Sequence, residues 1–338
     1  MPIAMRYSSR LFLYAPFVVL LVIATMAMLR WRHLATEWEA KLLAANRGEE
    51  IAPGVTVHFA SENISGFPFN LDVVFDRFVL SVQSTHGPIS LESEHFAIHA
   101  LTYGRAQQIF EAAGTQVLRW TDAEGETHRF VFVPGTMQAS AIERDGRLAR
   151  FDFDLNTFAS PVLTGARAQL HIRAGPDRDR LDFVILADGL RAKSAGDTLP
   201  HLELVGQMTP AAPLSALLSG RDEWRRALAD WRVAGGMFRL DRVDIAGHDS
   251  RLTAKGALQL DDAHRLSGTL RMHVLGARQW KPTRLVQSRF TSALQELANS
   301  VSTQFSSPLP LSLDIHNGAA IVSAPEKSRN AGSVDPVF

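Results

Sequence analysis

His95 and His99 stand four residues apart. On a helix that spacing lets two imidazoles share one metal ion. On a strand, four residues separate them by roughly 13 Å, too far for a single ion. The residues around them alternate, so a strand is expected here and a metal is not. Glu92 and Glu94 would share one strand face, as paired carboxylates for acid–base chemistry must. No pocket motif flanks them, and a solvated face accounts for them. Asp177, Arg178, Asp179 and Arg180 read as a charged turn by the same reasoning. The chain has no GxSxG elbow, no GxxxxGK[ST] loop, no GxGxxG and no HExxH. Cysteine is absent, which excludes disulfides, thiolate zinc sites and a cysteine nucleophile together. The reading is of a protein that is not an enzyme and uses no cofactor.

Two other groups of residues have a bland reading, sheet core and a solvated face, beside a functional one, contact with lipid. Phe67, Phe69, Leu71, Val73 and Phe75 fall at every second position, while Asn70 and Asp72 point the other way. Such a stripe is either filled sheet core or the lining of a groove for acyl chains. Pro68 holds Phe67 extended and has no N–H for a ladder, so the strand starts there or runs along an edge. At Asp76-Arg77 the phase slips, and Phe78, Leu80 and Val82 carry the apolar face onward past a turn or bulge. The second group is Arg278, Lys281, Arg284 and Arg289, which lead a helix whose only acid is Glu296. Cations are mildly unfavourable at a helix N-terminus, so anionic lipid head groups are one candidate and a solvated polar face is the other.

The element that would position all of these is residues 11–29, a run of 19 residues without Asp, Glu, Lys or Arg. At about 1.5 Å per residue it covers roughly 28 Å, close to a bilayer's hydrocarbon core. A secretory signal has a shorter apolar region and a small-residue cleavage site, so an uncleaved anchor is expected. Arg30, Arg32, Lys41 and Arg47 follow it and Arg6 and Arg10 precede it, a count that would leave the large domain in the cytoplasm. Long domains translocate largely regardless of charge. The expected arrangement is therefore a cytoplasmic segment 1–10, an anchor 11–29, and the remainder in a bacterial periplasm. Lys plus Arg and Asp plus Glu both number 35, which removes the electrostatic footprint of a nucleic-acid binder.

Beyond the anchor, residues 30–53 read as a helical stalk and linker, with Trp31 and Trp38 suited to the membrane interface. Residues 54–324 then read as one β-rich domain. Hairpins are expected across residues 122–125 and 144–147, the second with an Asp-Gly turn, and another around Asn317-Gly318. Three strands are expected over residues 237–274. Apolar stripes predict two amphipathic helices, over residues 214–231 and 282–305. Residues 325–338 are expected to be a disordered tail.

Gly66-Phe67-Pro68-Phe69 close to an anchor, together with the stretches at 235–243, 252–261 and 266–270, carries a resemblance. The chain resembles a bacterial membrane-anchored family known only as domain of unknown function 2125. More distantly its G-x-L-x-L cadence is similar to that of AsmA-like envelope proteins. The second resemblance implies a long curved sheet with an apolar inner face suited to lipid chains. Neither resemblance brings site residues with it.

The fold class expected is mainly β: an extended, twisted antiparallel sheet with two amphipathic helices behind one transmembrane helix. The first function expected is a non-enzymatic, inner-membrane-anchored periplasmic protein that binds or passes phospholipid in envelope maintenance. The alternative is a scaffold that holds an envelope protein partner at the inner membrane through exposed strand edges. An envelope hydrolase stands last.

Overall fold

The apolar run continues without a break into the stalk. In a computed structural model, α1 (Ser8–Asn46) is one helix of 39 residues with Pro16 inside it. The structure describes residues 8–84, 87–102, 107–122, 125–176, 179–193, 198–247, 250–276, 308–324 and 327–334. Side chains from Tyr14 to Leu29 lie almost wholly exposed, and the helix end is covered instead: Leu42 and Ala45 pack against Val57, Phe59, Val73, Phe75 and Phe78. Gly48, at φ +101°, ends the helix. Asn46 Oδ1 then accepts the Phe59 amide at 3.0 Å, tying the helix end to the sheet.

One antiparallel sheet makes up almost all the rest. Its strands are β1 (Val55–His58), β2 (Ser61–Ser65), β3 (Asn70–Ser84), β4 (Gly87–Leu101), β5 (Gln107–Thr121), β6 (Thr127–Arg144), β7 (Arg147–Ala159) and β8 (Leu163–Ala174). They continue as β9 (Leu181–Ala192), β10 (Thr198–Thr209), β11 (Met237–Ala246), β12 (Arg251–Leu260), β13 (Leu266–Leu275), β14 (Leu309–His316), β15 (Ala319–Ala324) and β16 (Lys327–Ser333). From β3 onward each strand pairs with the next, while β1 and β2 lie end to end along β3. Local turn chemistry produces this meander. Asp145-Gly146 and Asn317-Gly318 both adopt positive φ at both residues, the geometry whose twist matches a hairpin.

The mainly β antiparallel fold is as the sequence implies, with four local differences. First, the two hairpins expected across 122–125 and 144–147 share β6, which runs unbroken through Pro134-Gly135. The neighbouring β5 shifts register between Ala112 and Gln116 beside that point, so the proline's missing N–H falls at an irregularity of the ladder. Second, the helix expected over 214–231 is two helices, α2 (Ala212–Leu218) and α3 (Trp224–Val233). Gly220, at φ +65°, takes a left-handed turn between them. Third, Arg77, where the phase slips, has φ +50° inside a continuous β3, so the slip is a kink in the strand and not a turn. Fourth, the tail expected to be disordered from 325 onward contains β16, whose backbone pairs with β15 from Ala319↔Ser333 to Ala324↔Lys327. Its polar composition hid it, because the ladder needs backbone groups and not apolar side chains. The helix expected over 282–305 lies outside the described residues.

Candidate functional site

Register across the meander sorts the side chains into rows. Directly opposed residues of antiparallel strands share a face. One row reads Phe75, Phe96, Ala112, Met137, Leu155, Ala168, Ala187, Leu202, Ile245, Leu252, Val274 and Leu309 from β3 to β14. The next row on the same face reads Val73, Ile98, Phe110, Ala139, Phe153, Leu170, Ile185, Leu204, Val243, Ala254, Met272 and Leu311. No polar residue interrupts either row over twelve strands.

Their cover differs along the sheet. Val73 is sealed at β3, and Val243, Ala254, Met272 and Leu311 are buried at β11 to β14. Between them Ile98, Phe110, Ala139, Phe153, Leu170, Ile185 and Leu204 are all half-buried. Six inter-strand spacings of about 4.8 Å give that stretch a length of roughly 29 Å. Helices α2 and α3 sit toward one end of the strands, where Leu214 and Trp231 join Leu148, Ile172, Phe183 and Leu240. Trp224 Nε1 also donates to the Gln83 carbonyl at 2.9 Å, which links α3 back to β3.

The opposite face is polar and self-paired. Asp72 faces His99, Asp76 faces His95, Asp152 faces His171 and Asp188 faces His201, each pair directly opposed in register. Their Nδ1–Oδ1 distances are 2.7, 3.1, 2.6 and 2.7 Å in that order. Burial pushes the Asp152 carboxyl up, but hydrogen bonds from His171 and Arg150 outweigh it and hold the group below its ordinary value. The Ser61 hydroxyl, and then His95, lower Asp76. His95 and His99 therefore each have their own aspartate. Among the described residues no three His, Asp or Glu gather at metal-ligand distance. Glu92 pairs with Arg119, whereas Glu94 accepts the Thr115 amide at 2.9 Å beside a register shift between Ser93 and His95. The two carboxylates have different partners.

The five residues first considered for a groove separate into two groups. Leu71, Val73 and Phe75 are 3 %, 0 % and 0 % exposed, and Val73 and Phe75 are sheet core under the end of α1. Phe67 and Phe69 precede β3, in a turn closed by the Asn70 amide on the Gly66 carbonyl, and are 51 % and 62 % exposed. The shared strand face expected of all five is corrected on this point: Pro68 supplies no ladder donor, so pairing starts only at Asn70. Arg278, Lys281, Arg284 and Arg289 lie outside the described residues. The structure shows a different basic group, a recess of about 530 Å³ at the ends of β6, β7 and β8. Arg144, Arg147, Arg150 and Arg173 line it, with Ser215 of α2 and the apolar Leu148 and Ile142. Arg144 and Arg147 flank the Asp-Gly turn in sequence, which was its one legible signal; Arg173 reaches the site only through the pairing of β7 with β8.

The described residues thus present an apolar track, an arginine-lined recess at the strand ends and a long exposed apolar helix. The family comparison bears on the same stretch of chain. Residues 31–325 match the family of uncharacterised bacterial proteins DUF2125. The chain belongs to this family. The DUF2125 region begins at Trp31, immediately after the apolar run, and takes in the sheet as far as β15. Searches of curated proteins and of solved structures returned no match.

Proposed function

We propose that this DUF2125 protein is a single-pass, inner-membrane-anchored periplasmic protein that binds or passes phospholipid along one face of its sheet. The observation that carries the reading is the apolar row from Ile98 on β4 to Leu204 on β10, which is only half-buried between residues buried at β3 and at β11 to β14. An extended apolar surface of this length is costly to leave in water and marks a binding face. The anchor places it beside a lipid source. The arginine recess supplies the charge complement for a phosphate, as guanidinium groups do for oxyanions. A structural role for the polar face is supported by its histidines, four of which are paired across neighbouring strands with a directly opposed aspartate. Export of the domain is supported by the weak dependence of long-domain translocation on flanking charge.

The test uses the full chain in vesicles containing a photoactivatable phospholipid, followed by peptide mapping. Crosslinks in β4 to β10 are expected, and their loss in Phe153→Asp with Leu170→Asp. Crosslinks confined to residues 11–29 would remove the lipid-handling reading and leave only an anchor. A reporter active solely after export, fused behind Phe338, is expected to be active; silence would reverse the orientation.

A further inference from the structure

The apolar helix and the folded domain meet at one defined place. Trp31 Nε1 donates to the Asn70 carbonyl at 2.8 Å, and Arg30 Nη2 donates to the Thr102 carbonyl at 3.2 Å. The Trp31 and Phe67 rings stand edge to face with centroids 5.8 Å apart. The Thr102 hydroxyl donates to the Phe69 carbonyl at 2.8 Å, joining the end of β4 to the turn before β3. Gly66 makes this turn possible: at φ +98° a Cβ would come within 2.6 Å of Asp72 Oδ2 and 2.8 Å of the Asn70 carbonyl. The turn is thus fixed to the helix through the Trp31 hydrogen bond and ring contact, and indirectly through Thr102, which Arg30 binds.

Its height relative to a bilayer follows from the helix. Trp31 lies two residues beyond Leu29, a rise of about 3 Å past the last residue of the apolar run. The interfacial zone on each side of a hydrocarbon core is about 5–8 Å deep. Phe67 is held against Trp31, Phe69 adjoins the Asn70 carbonyl that Trp31 binds, and Leu101 pairs with Asn70; the three are 51 %, 62 % and 44 % exposed. Aromatic rings are favoured at this depth.

The geometry points to a second membrane contact: the turn Gly66-Phe67-Pro68-Phe69, with Leu101, inserts into the headgroup zone of the bilayer that holds α1. The partner is the lipid interface itself. The turn and the helix then form two points of attachment, which fix the angle of the sheet to the membrane rather than leaving it to swing on a stalk. The inference rests on the anchor reading given above, and the experiment separates the two.

The chain has no cysteine, so single-cysteine variants of the full chain can be spin-labelled one at a time. Val19→Cys, Phe67→Cys, Phe69→Cys and Ile321→Cys are reconstituted in vesicles of phosphatidylethanolamine and phosphatidylglycerol. Relaxation by oxygen, which enters lipid, is compared with relaxation by a water-soluble nickel chelate. Labels at Phe67 and Phe69 are expected to show an oxygen-to-nickel accessibility ratio several-fold above that at Ile321 and below that at Val19. A ratio at both turn positions equal to that at Ile321, with Val19 still shielded from nickel, overturns the inference and leaves the anchor standing. An aqueous signal at Val19 overturns the anchor and the inference with it. Spin–spin broadening at Phe69 that persists on dilution into excess lipid would assign the turn to a second copy of the chain and overturn the membrane contact.

Discussion

At β3 and at β7 the sheet presents the same kind of surface to different surroundings. Val73 and Phe75 are covered by Leu42 and Ala45 from the end of α1 and by Phe59 and Phe78, with ring centroids 5.0 and 5.3 Å from Phe75. Phe153 lies on the same row as Val73, four strands along, yet is only half-buried. Residue type is nearly constant along the row, so type does not decide which part becomes core. The cover decides. The end of α1 laid on the sheet converts the β3 stretch into core, whereas Phe153 is only half-buried against the smaller cluster of Phe132, Leu155 and Phe158. On the function proposed above, one continuous apolar face would have two roles, folding at its ends and binding in its middle.

The comparison can be broken by measuring stability at both places. Phe75→Ala is expected to cost about 3–5 kcal/mol, the cost of removing a buried aromatic and leaving a cavity, read as a fall in the urea midpoint. Phe153→Ala, with part of its ring already in contact with solvent, is expected to cost about 1–2 kcal/mol while lowering retained lipid. Equal costs would mean that the middle of the row is as much plain core as its β3 end.

The far closed end can be tested through charge. Asp244 is 6 % exposed, and Arg251 donates to both of its carboxylate oxygens from Nε and Nη2. That guanidinium holds the Asp244 carboxyl below its ordinary value. Asp244→Asn is expected to cost about 1–2 kcal/mol near neutral pH, kept modest because the arginine side chain is largely in water. The sign with pH follows from linkage. A carboxylate depressed on folding contributes its full stability above the unfolded value of about 3.9, and that contribution is lost as pH falls through the lower folded value. The wild-type chain should therefore lose stability over that acid window, and the variant should show a shallower acid limb in denaturation midpoints taken between neutral and strongly acidic pH. An unchanged acid limb would mean that the pair does not form.

The smallest stability effect sharpens the comparison most. Arg147→Glu with Arg173→Glu alters exposed side chains and is expected to change stability by no more than about 0.5 kcal/mol. Retention of phosphatidylglycerol relative to phosphatidylcholine should fall severalfold in lipid mass spectrometry if the recess binds the phosphate. Unaltered selectivity would remove the recess from the binding face and leave the apolar rows alone.

Much of this architecture was legible in local pattern. The hairpin turns at Asp145-Gly146 and Asn317-Gly318 were readable because positive φ at both central residues demands Asn, Asp or Gly. The alternation of β3 and the slip at Arg77 were readable because strand periodicity is two and a kink displaces it by one. The split of the first soluble helix at Gly220 was not, since the apolar stripe runs through the break. Nor was β16, whose Lys, Ser, Arg and Asn side chains carry no apolar signal although its backbone completes the ladder beside β15.

The sequence by itself determined the apolar helix, the antiparallel meander and the absence of cysteine chemistry. All three depend on composition, short-range turn geometry and residue spacing, and none needs a distant partner. Only the tertiary structure decided which phenylalanines are core. Val73 and Phe75 are sealed because α1 folds back over them from thirty residues upstream. Phe67 and Phe69 are exposed because a glycine turn ties them to Trp31 at the end of the apolar run. The arginine recess likewise exists only because β6, β7 and β8 align their ends. Burial is set by what packs on a residue, and that is a property of chain segments far apart in sequence.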